Sequence, residues 1–151
     1  DIRAIIVGSG PLERKVRSIV SNLNLSNHID LLAWIDNSEI YKYLNEIKIL
    51  VLPSKREGLP NIILEAGASG CIILATPVGG IPDIIIDGDT GFITKNNNPD
   101  IIAENISRIL KFENLNIISL NMKRLIKNNY SYKYVIELYR NEIEKVGLNS
   151  I

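Results

Sequence analysis

The sequence has little of what marks a secreted, metal-binding or nucleic-acid-binding protein. It contains one cysteine, Cys71, and one histidine, His28. A lone thiol cannot close an internal disulfide, and Cys71 with His28 does not complete a zinc-ligand spacing, so an intracellular, metal-free chain is expected. Charge of one sign is also missing: 17 Lys and Arg balance 17 Asp and Glu, for a formal net charge of zero. That excludes a nucleic-acid surface held by bulk electrostatics, and any anion site must be local. No apolar run approaches the roughly 18 to 20 residues of a membrane span, and no basic segment followed by an apolar one marks a secretory leader. Internal repeats and low-complexity tracts are absent, although asparagine clusters mark the turns.

What is present is a substantial apolar fraction, 46% of 151 residues, enough for one compact domain over residues 1–151 and too short for two. The sequence starts at Asp1 without methionine and runs directly into a strand pattern, so a piece of a longer polypeptide is expected. Short β-branched runs alternate with stretches of helical period, the pattern of an α/β domain with a parallel sheet and helices on both faces. Strands are expected at Arg3 to Val7, His28 to Leu32, Ile49 to Leu52, Cys71 to Ala75, Ile84 to Ile86 and Phe92-Ile93. The first helix should run from Pro11 to about Leu23. A second should open at Asp36, with Glu39 in capping-box spacing, and a third at Pro60, since proline suits a first helical position. Gly79-Gly80 reads as a tight turn, and Asp87 to Gly91 as another. Beyond Pro99 the pattern is helical only, in three segments ending near Lys111, Asn128 and Lys145.

Ligands in open parallel sheets bind outside the carboxyl ends of the strands, so the loops starting at Gly8, Ala33, Pro53 and Thr76 should share one rim. The loop from Pro53 to Asn61 is the most informative. It places Glu57 just before a helix start, with Glu65 eight residues later, about a turn and a half into that helix. A helix start offers free amides, here those of Leu59, Asn61 and Ile62, and the positive end of its dipole; both suit a phosphate or a ring of hydroxyls. A carboxylate only accepts hydrogen bonds, and its two oxygens match two neighbouring hydroxyls. Two glutamates flanking an anion-binding turn thus read as a sugar-nucleotide site. The simpler alternative is two dipole partners on a solvated surface.

The stretch from Val51 to Ile93, VLPSKREGLPNIILEAGASGCIILATPVGGIPDIIIDGDTGFI, resembles the signature of the glycosyl transferases group 1, the large retaining family with two Rossmann-like domains in the GT-B arrangement. The resemblance rests on Glu57 and Glu65 with seven residues between them, Glu65-Ala66, Gly70, Gly79-Gly80 followed by Pro82, and the closing DGDTGF. Upstream, IIVGSGP and the strand leading to Ala33-Trp34, and downstream YSYKYVIELYR, extend it over nearly the whole chain. It implies the C-terminal, donor-binding half of an enzyme that moves a hexose from a nucleoside diphosphate sugar, such as a UDP- or GDP-hexose, to a glycan or lipid-linked acceptor. Carried over residue by residue, Glu57 would be the catalytic-site carboxylate contacting the hexose hydroxyls. The segment Gly58, Leu59, Pro60, Asn61 and Ile62 would line the sugar and diphosphate, and Glu65 would hold the ribose diol. The loop around Ile35 would meet the base through backbone atoms, and Gly79 and Gly80 would let the chain pass close to the phosphates. No metal and no cofactor beyond the sugar nucleotide is implied. The expected setting is cytoplasmic polysaccharide or lipopolysaccharide synthesis, with peripheral contact at the inner membrane face as an alternative.

The sequence departs from the family pattern in several places. The Arg and Lys that the family brings to the diphosphate come from the loop after the first strand of this domain; the chain is expected to begin at the second strand and to lack the acceptor domain too, so it alone should not catalyse transfer. Ala33 stands where glycine is common, Asp83 where glutamate is common, and Cys71 where proline is frequent. A non-catalytic nucleotide-sugar-binding module or partner subunit is the alternative reading, and a nucleotide-sugar epimerase ranks third. Asp87-Gly88-Asp89 is read as a turn and not a metal motif, and Gly8-Ser9-Gly10 lacks the third glycine of a dinucleotide fingerprint because Glu13 occupies its place. Trp34 is placed either against a base or over the sheet end. Lys55 and Arg56 are read as a solvated loop; Lys123, Arg124, Lys127 and Lys133 are read as a solvated helix face, with anionic lipid as the alternative contact.

Overall fold

A computed structural model describes residues 2–145 and 147; the ends of the expected 1–151 span and Val146 lie outside the described residues. The chain divides into two compact units, 1–40 and 41–151. Each is built from parallel strands and helices, as the alternating pattern requires, but the strands pair in two separate sheets.

The first unit holds β1 (Ala4–Val7), α1 (Glu13–Asn22) and β2 (Ile29–Leu32). β1 and β2 are parallel, in register from Ala4 opposite Ile29 to Val7 opposite Leu32. The ladder is extended at both ends by the Ala4 amide on the His28 carbonyl and the Gly8 amide on the Leu32 carbonyl, each at 2.9 Å. The loops that begin at Gly8 and Ala33 therefore leave side by side. α1 begins two residues later than expected from Pro11, its first turn tied by Arg17 donating from Nε and Nη2 to Glu13 Oε1 at 3.0 and 2.9 Å. It ends at Asn22, and two residues on Asn24 takes a left-handed conformation at φ 55°, one that asparagine tolerates better than most residues. Asp36 does not open the next helix. Its carboxylate accepts from the Ser38 amide at 2.8 Å and the Ser38 hydroxyl at 2.6 Å, making a local turn, and α2 (Ile40–Glu46) starts later. The Asp36 carbonyl accepts from the Glu39 and Ile40 amides at 2.9 and 3.1 Å, so this turn leads into α2 without being its first turn. The Ser38 hydroxyl first, then its amide, holds the Asp36 carboxyl below the ordinary range.

The second unit holds all of α2 but Ile40, then β3 (Ile49–Leu52), α3 (Asn61–Ser69), β4 (Ile72–Ala75), β5 (Phe92–Ile93), α4 (Pro99–Leu110), α5 (Leu115–Asn129) and α6 (Tyr132–Lys145). Its sheet is parallel in the order β3-β4-β5, and the central strand β4 is buried along its whole length. A strand covered on both faces reads as a continuous apolar run, which is how Ile72 to Ala75 appear in the sequence. Ile72, Leu74, Phe92, Ile109 and Ile118 form the core, with Phe112 meeting Phe92 edge-on at 5.3 Å between centroids. α5 turns Ile118, Met122 and Ile126 inward at four-residue intervals and lies against α3 at Gly67. α3 ends at Gly70, whose φ of 96° terminates the helix in a left-handed cap.

Two expectations fail here. Ile84 to Ile86 form no strand: residues Ile81–Asp83 make a 3-10 turn, and the Ile84 and Ile85 amides donate to the Ile81 carbonyl at 3.1 and 2.9 Å. The Ile86 amide then bonds Thr90 Oγ1 at 2.9 Å, so no donor is left for a ladder. The β-branched run is nevertheless buried at Ile84 and Ile85, which is the burial its composition demands. Pro60 is the residue before α3, not its first, with an extended backbone (φ −72°, ψ 127°). Among the described residues, no helix is long and apolar enough to cross a membrane.

Candidate functional site

β3 and β4 are paired up to Leu52 opposite Ala75, so the loops that follow them start as neighbours. The Thr76 amide reaches the Leu52 carbonyl at 3.2 Å and continues the ladder one step past the strands. From there the two loops are stitched together twice. Thr76, only 3% exposed, donates its hydroxyl to the Ser54 carbonyl at 2.5 Å. The Gly80 amide donates to the Gly58 carbonyl at 2.7 Å. Between these two pins sits Glu57, half-buried, whose Oε1 accepts from Ser54 Oγ at 2.6 Å, a length typical of a hydroxyl bonded to a carboxylate.

Gly79 is required by this arrangement. Its φ is 57°, and a Cβ added there would run into the carbonyl oxygens of Glu57 and Gly58. The close approach of Gly79 to the Glu57 peptide is backbone against backbone, which only a residue without a side chain permits. Gly80 is less constrained, since a Cβ there would find nothing nearer than 3.5 Å.

Downstream, Gly58, Leu59 and Asn61 are exposed, Pro60 and Ile62 are half-buried, and α3 begins at Asn61. The first intrahelical bond is from the Ile63 amide to the Pro60 carbonyl at 3.0 Å. The amides of Leu59, Asn61 and Ile62 find no acceptor among the described residues, as expected of a helix start without a capping side chain. α3 buries Ile63, Ala66 and Gly67 and leaves Glu65 exposed, about 6 Å along the axis from the helix start at the usual rise per residue. The segment thus presents a tethered carboxylate, an open set of amide donors and a second, solvent-facing carboxylate in succession. Hydroxyls can be accepted at both ends and an anion between them.

Ile35 belongs to the first unit; it is buried, while its neighbour Trp34 is 77% exposed. Lys55 and Arg56 are exposed, as are Lys123, Arg124, Lys127 and Lys133. Both aspartates of Asp87-Gly88-Asp89 face protein partners. Asp87 accepts from Arg108 Nη2 at 2.7 Å and from the Ile93 amide at 2.9 Å, and Asp89 accepts from Asn121 at 2.7 Å. Partial burial pushes the Asp87 carboxyl up, but the Arg108 hydrogen bond, the Ile93 amide and the Arg108 charge together outweigh it and hold the group below its ordinary value. Among the described residues, no three His, Cys, Asp or Glu side chains are grouped to hold a metal ion. Cys71 is buried, donates to the Leu44 carbonyl at 3.0 Å, and has its thiol pushed up by desolvation. Sequence reading missed Ser54 and Thr76 as site residues. Ser54 stands three positions before Glu57, the spacing of a capping box, and that was the available signal.

Known proteins share this sequence pattern and this fold. An archaeal uncharacterized glycosyltransferase, MJ1178 of Methanocaldococcus jannaschii, is 34% identical over 76% of this chain and 32% of its own length. The UDP-Gal:alpha-D-GlcNAc-diphosphoundecaprenol alpha-1,3-galactosyltransferase of Escherichia coli is 29% identical over 84% of this chain and 33% of its own. Among solved structures, the C-terminal domain of a glycosyl transferase group 1 family protein, LpcC, from Francisella tularensis superposes with a TM-score of 0.77 at 26% identity, over 86% of this chain and 70% of that one. The chain spans about a third of the length of the curated relatives it matches. The family profile described as Glycosyl transferases group 1 matches residues 1–140, and the chain belongs to that family.

Proposed function

We propose that this chain is the C-terminal, nucleotide-sugar-binding domain of a retaining glycosyltransferase that moves a hexose from a nucleoside diphosphate sugar to a glycan or lipid-linked acceptor. The observation that carries the reading is Glu57, tethered by Ser54 immediately before the uncapped start of α3, with Glu65 on the solvent side of the same helix. In this reading Glu57 accepts from hydroxyls of the hexose, Glu65 accepts from the ribose diol, and the Leu59, Asn61 and Ile62 amides donate to the diphosphate. Donors aimed at the diphosphate stabilise it as it departs with the bonding electrons of the anomeric bond. Gly79 and Gly80 keep the adjoining loop free of side chains. The support for UDP as the nucleotide is the name of the E. coli relative, which also specifies a lipid-linked acceptor.

The test is a titration of isotope-labelled chain with UDP, GDP, ADP and their hexose conjugates, followed by amide shifts. An affinity near millimolar, about 4 kcal/mol, is expected. Saturable shifts from Glu57 to Ala66 and at Gly79-Gly80, lost in Glu65→Ala, would support the assignment and identify the base. Silence from every nucleotide in a folded sample would overturn donor recognition by this chain.

A further inference from the structure

The Ser54 to Glu57 contact differs from an ordinary loop cap. In a capping box the serine hydroxyl bonds a backbone amide and the acid reaches back to the serine's own amide. Here the hydroxyl donates to the carboxylate itself, at 2.6 Å, and no helix starts until Asn61. The serine is itself fixed from across the sheet, because its carbonyl accepts the buried Thr76 hydroxyl 22 residues away at 2.5 Å. Thr76 in turn is set by the ladder, through its amide on the Leu52 carbonyl. A chain of bonds thus runs from the rigid sheet end through Thr76 and Ser54 to one oxygen of Glu57, while the Gly80 amide fixes the peptide on the other side at Gly58. With Oε1 taken by Ser54, Oε2 is the oxygen that no described residue holds.

We propose that Ser54 is a positioning residue, anchored by Thr76, that holds the Glu57 side chain in one rotamer and so presents Oε2 to a hydroxyl of the donor's hexose. This rests on the donor-site reading above for the identity of the ligand, but the ordering of Glu57 does not depend on it. A side chain with three rotatable bonds loses conformational freedom on binding, and a group ordered beforehand does not incur that cost again.

Two measurements on the labelled chain separate the parts. The first needs no ligand: scalar couplings of the Glu57 β-protons should report one dominant χ1 rotamer in the wild type and averaging in Ser54→Ala and Thr76→Val. Ser54→Thr and Thr76→Ser, which keep the hydroxyls, should restore it. A single unchanged rotamer in folded Ser54→Ala would overturn the proposal. The second compares UDP-glucose with UDP. Ser54→Ala should weaken UDP-glucose by about 3- to 10-fold, the loss of one modest hydrogen bond, and leave UDP unchanged. The same substitution should have no effect in a Glu57→Ala background. Equal weakening of both ligands, or an undiminished effect without Glu57, would show that the hydroxyl acts on the loop and not through the carboxylate, which also overturns the proposal. If Glu57→Ala itself leaves the preference for UDP-glucose unchanged, or the wild type binds neither ligand, the hexose reading of Glu57 fails, and the rotamer measurement still decides whether Ser54 positions it.

Discussion

Gly79 and Gly80 are adjacent in sequence and alike in composition, yet their surroundings assign them different tolerances. Gly79 combines a left-handed φ of 57° with backbone carbonyls where a Cβ would stand; Gly80 has φ −83° and open contact distances. The carbonyls of Glu57 and Gly58 cannot rotate away as a side chain could, because Gly58 is bonded to Gly80. Gly79→Ala is therefore expected to cost at least the roughly 1–2 kcal/mol of a left-handed alanine, and to displace the Glu57 peptide. Gly80→Ala should stay within about 0.5 kcal/mol. Urea unfolding of the two variants, with the amide shift of Gly58 as a local reporter, tests the contrast; equal costs would refute it. Cys71 supplies a second case. It is 2% exposed, its thiol is bonded to the Leu44 carbonyl, and desolvation raises it above the ordinary range. Because the thiolate is the reactive form, Cys71 should resist alkylation near neutral pH in the native protein and react fully in denaturant. Rapid native labelling would contradict the burial.

At the scale of elements, the turn from Asp87 to Gly91 is held to α4 and α5 by side chains, not by a ladder. Arg108 pairs with Asp87 and lies over the Phe92 ring at 5.1 Å, while Asn121 bonds Asp89. The Asp87 carboxyl is held below its ordinary 3.8, so its contribution is present above the unfolded value and is lost as pH falls through the folded one. Both partners are more than two-fifths exposed, at 46% and 43%, which limits the pair to about 1 kcal/mol or less. Asp87→Asn should thus lower the urea midpoint at about pH 6, with the difference from wild type shrinking towards about pH 3; a constant difference would assign the effect to shape and not to charge. These interactions also show what a sequence makes legible. Ile49 to Leu52, Ile72 to Ala75 and the three C-terminal helices follow from periodicity and caps, because those signals are local. The strand expected at Ile84 to Ile86 fails because Thr90 and Ile81 satisfy its amides, and the helix expected at Asp36 starts only at Ile40, after a turn that the Asp36 carboxylate and carbonyl close. Glu57 and Glu65 were visible as a spaced pair. The link from Thr76 through Ser54 to Glu57 was not, since it joins residues 22 positions apart and exists only once β3 and β4 adopt their register.

For the whole molecule, the distribution of buried side chains is uneven in a way that predicts how it opens. Among the described residues, Val20 and Ile35 are the buried apolar side chains of the first unit; the others, from Leu44 to Ile126, lie in the second. β1 exposes Ile6 at 44% and Val7 at 48%, whereas β4 has Ile73, Leu74 and Ala75 at 0%. Apolar burial is the main force that resists opening, at about 25 cal/mol per Å², and an element with little of it unfolds locally at lower free energy than the global transition. The β1-β2 ladder has the same parallel hydrogen-bond pattern as β3-β4 over the same number of register pairs, so hydrogen bonding alone would predict equal protection. Burial predicts otherwise. Native-state hydrogen exchange should find the amides of Ile5 to Val7 and Asp30 to Leu32 exchanging well before those of Ile73 to Ala75, with the slow set also including α3 and α5, whose contact at Gly67 seals the second unit. If the two ladders exchange together at one free energy, the chain opens as a single cooperative body, and side-chain burial within each unit is not what sets its stability. If they separate, the site from Ser54 to Gly80 rests on the slower-opening unit, so its two stitched loops should remain in register while the first unit fluctuates.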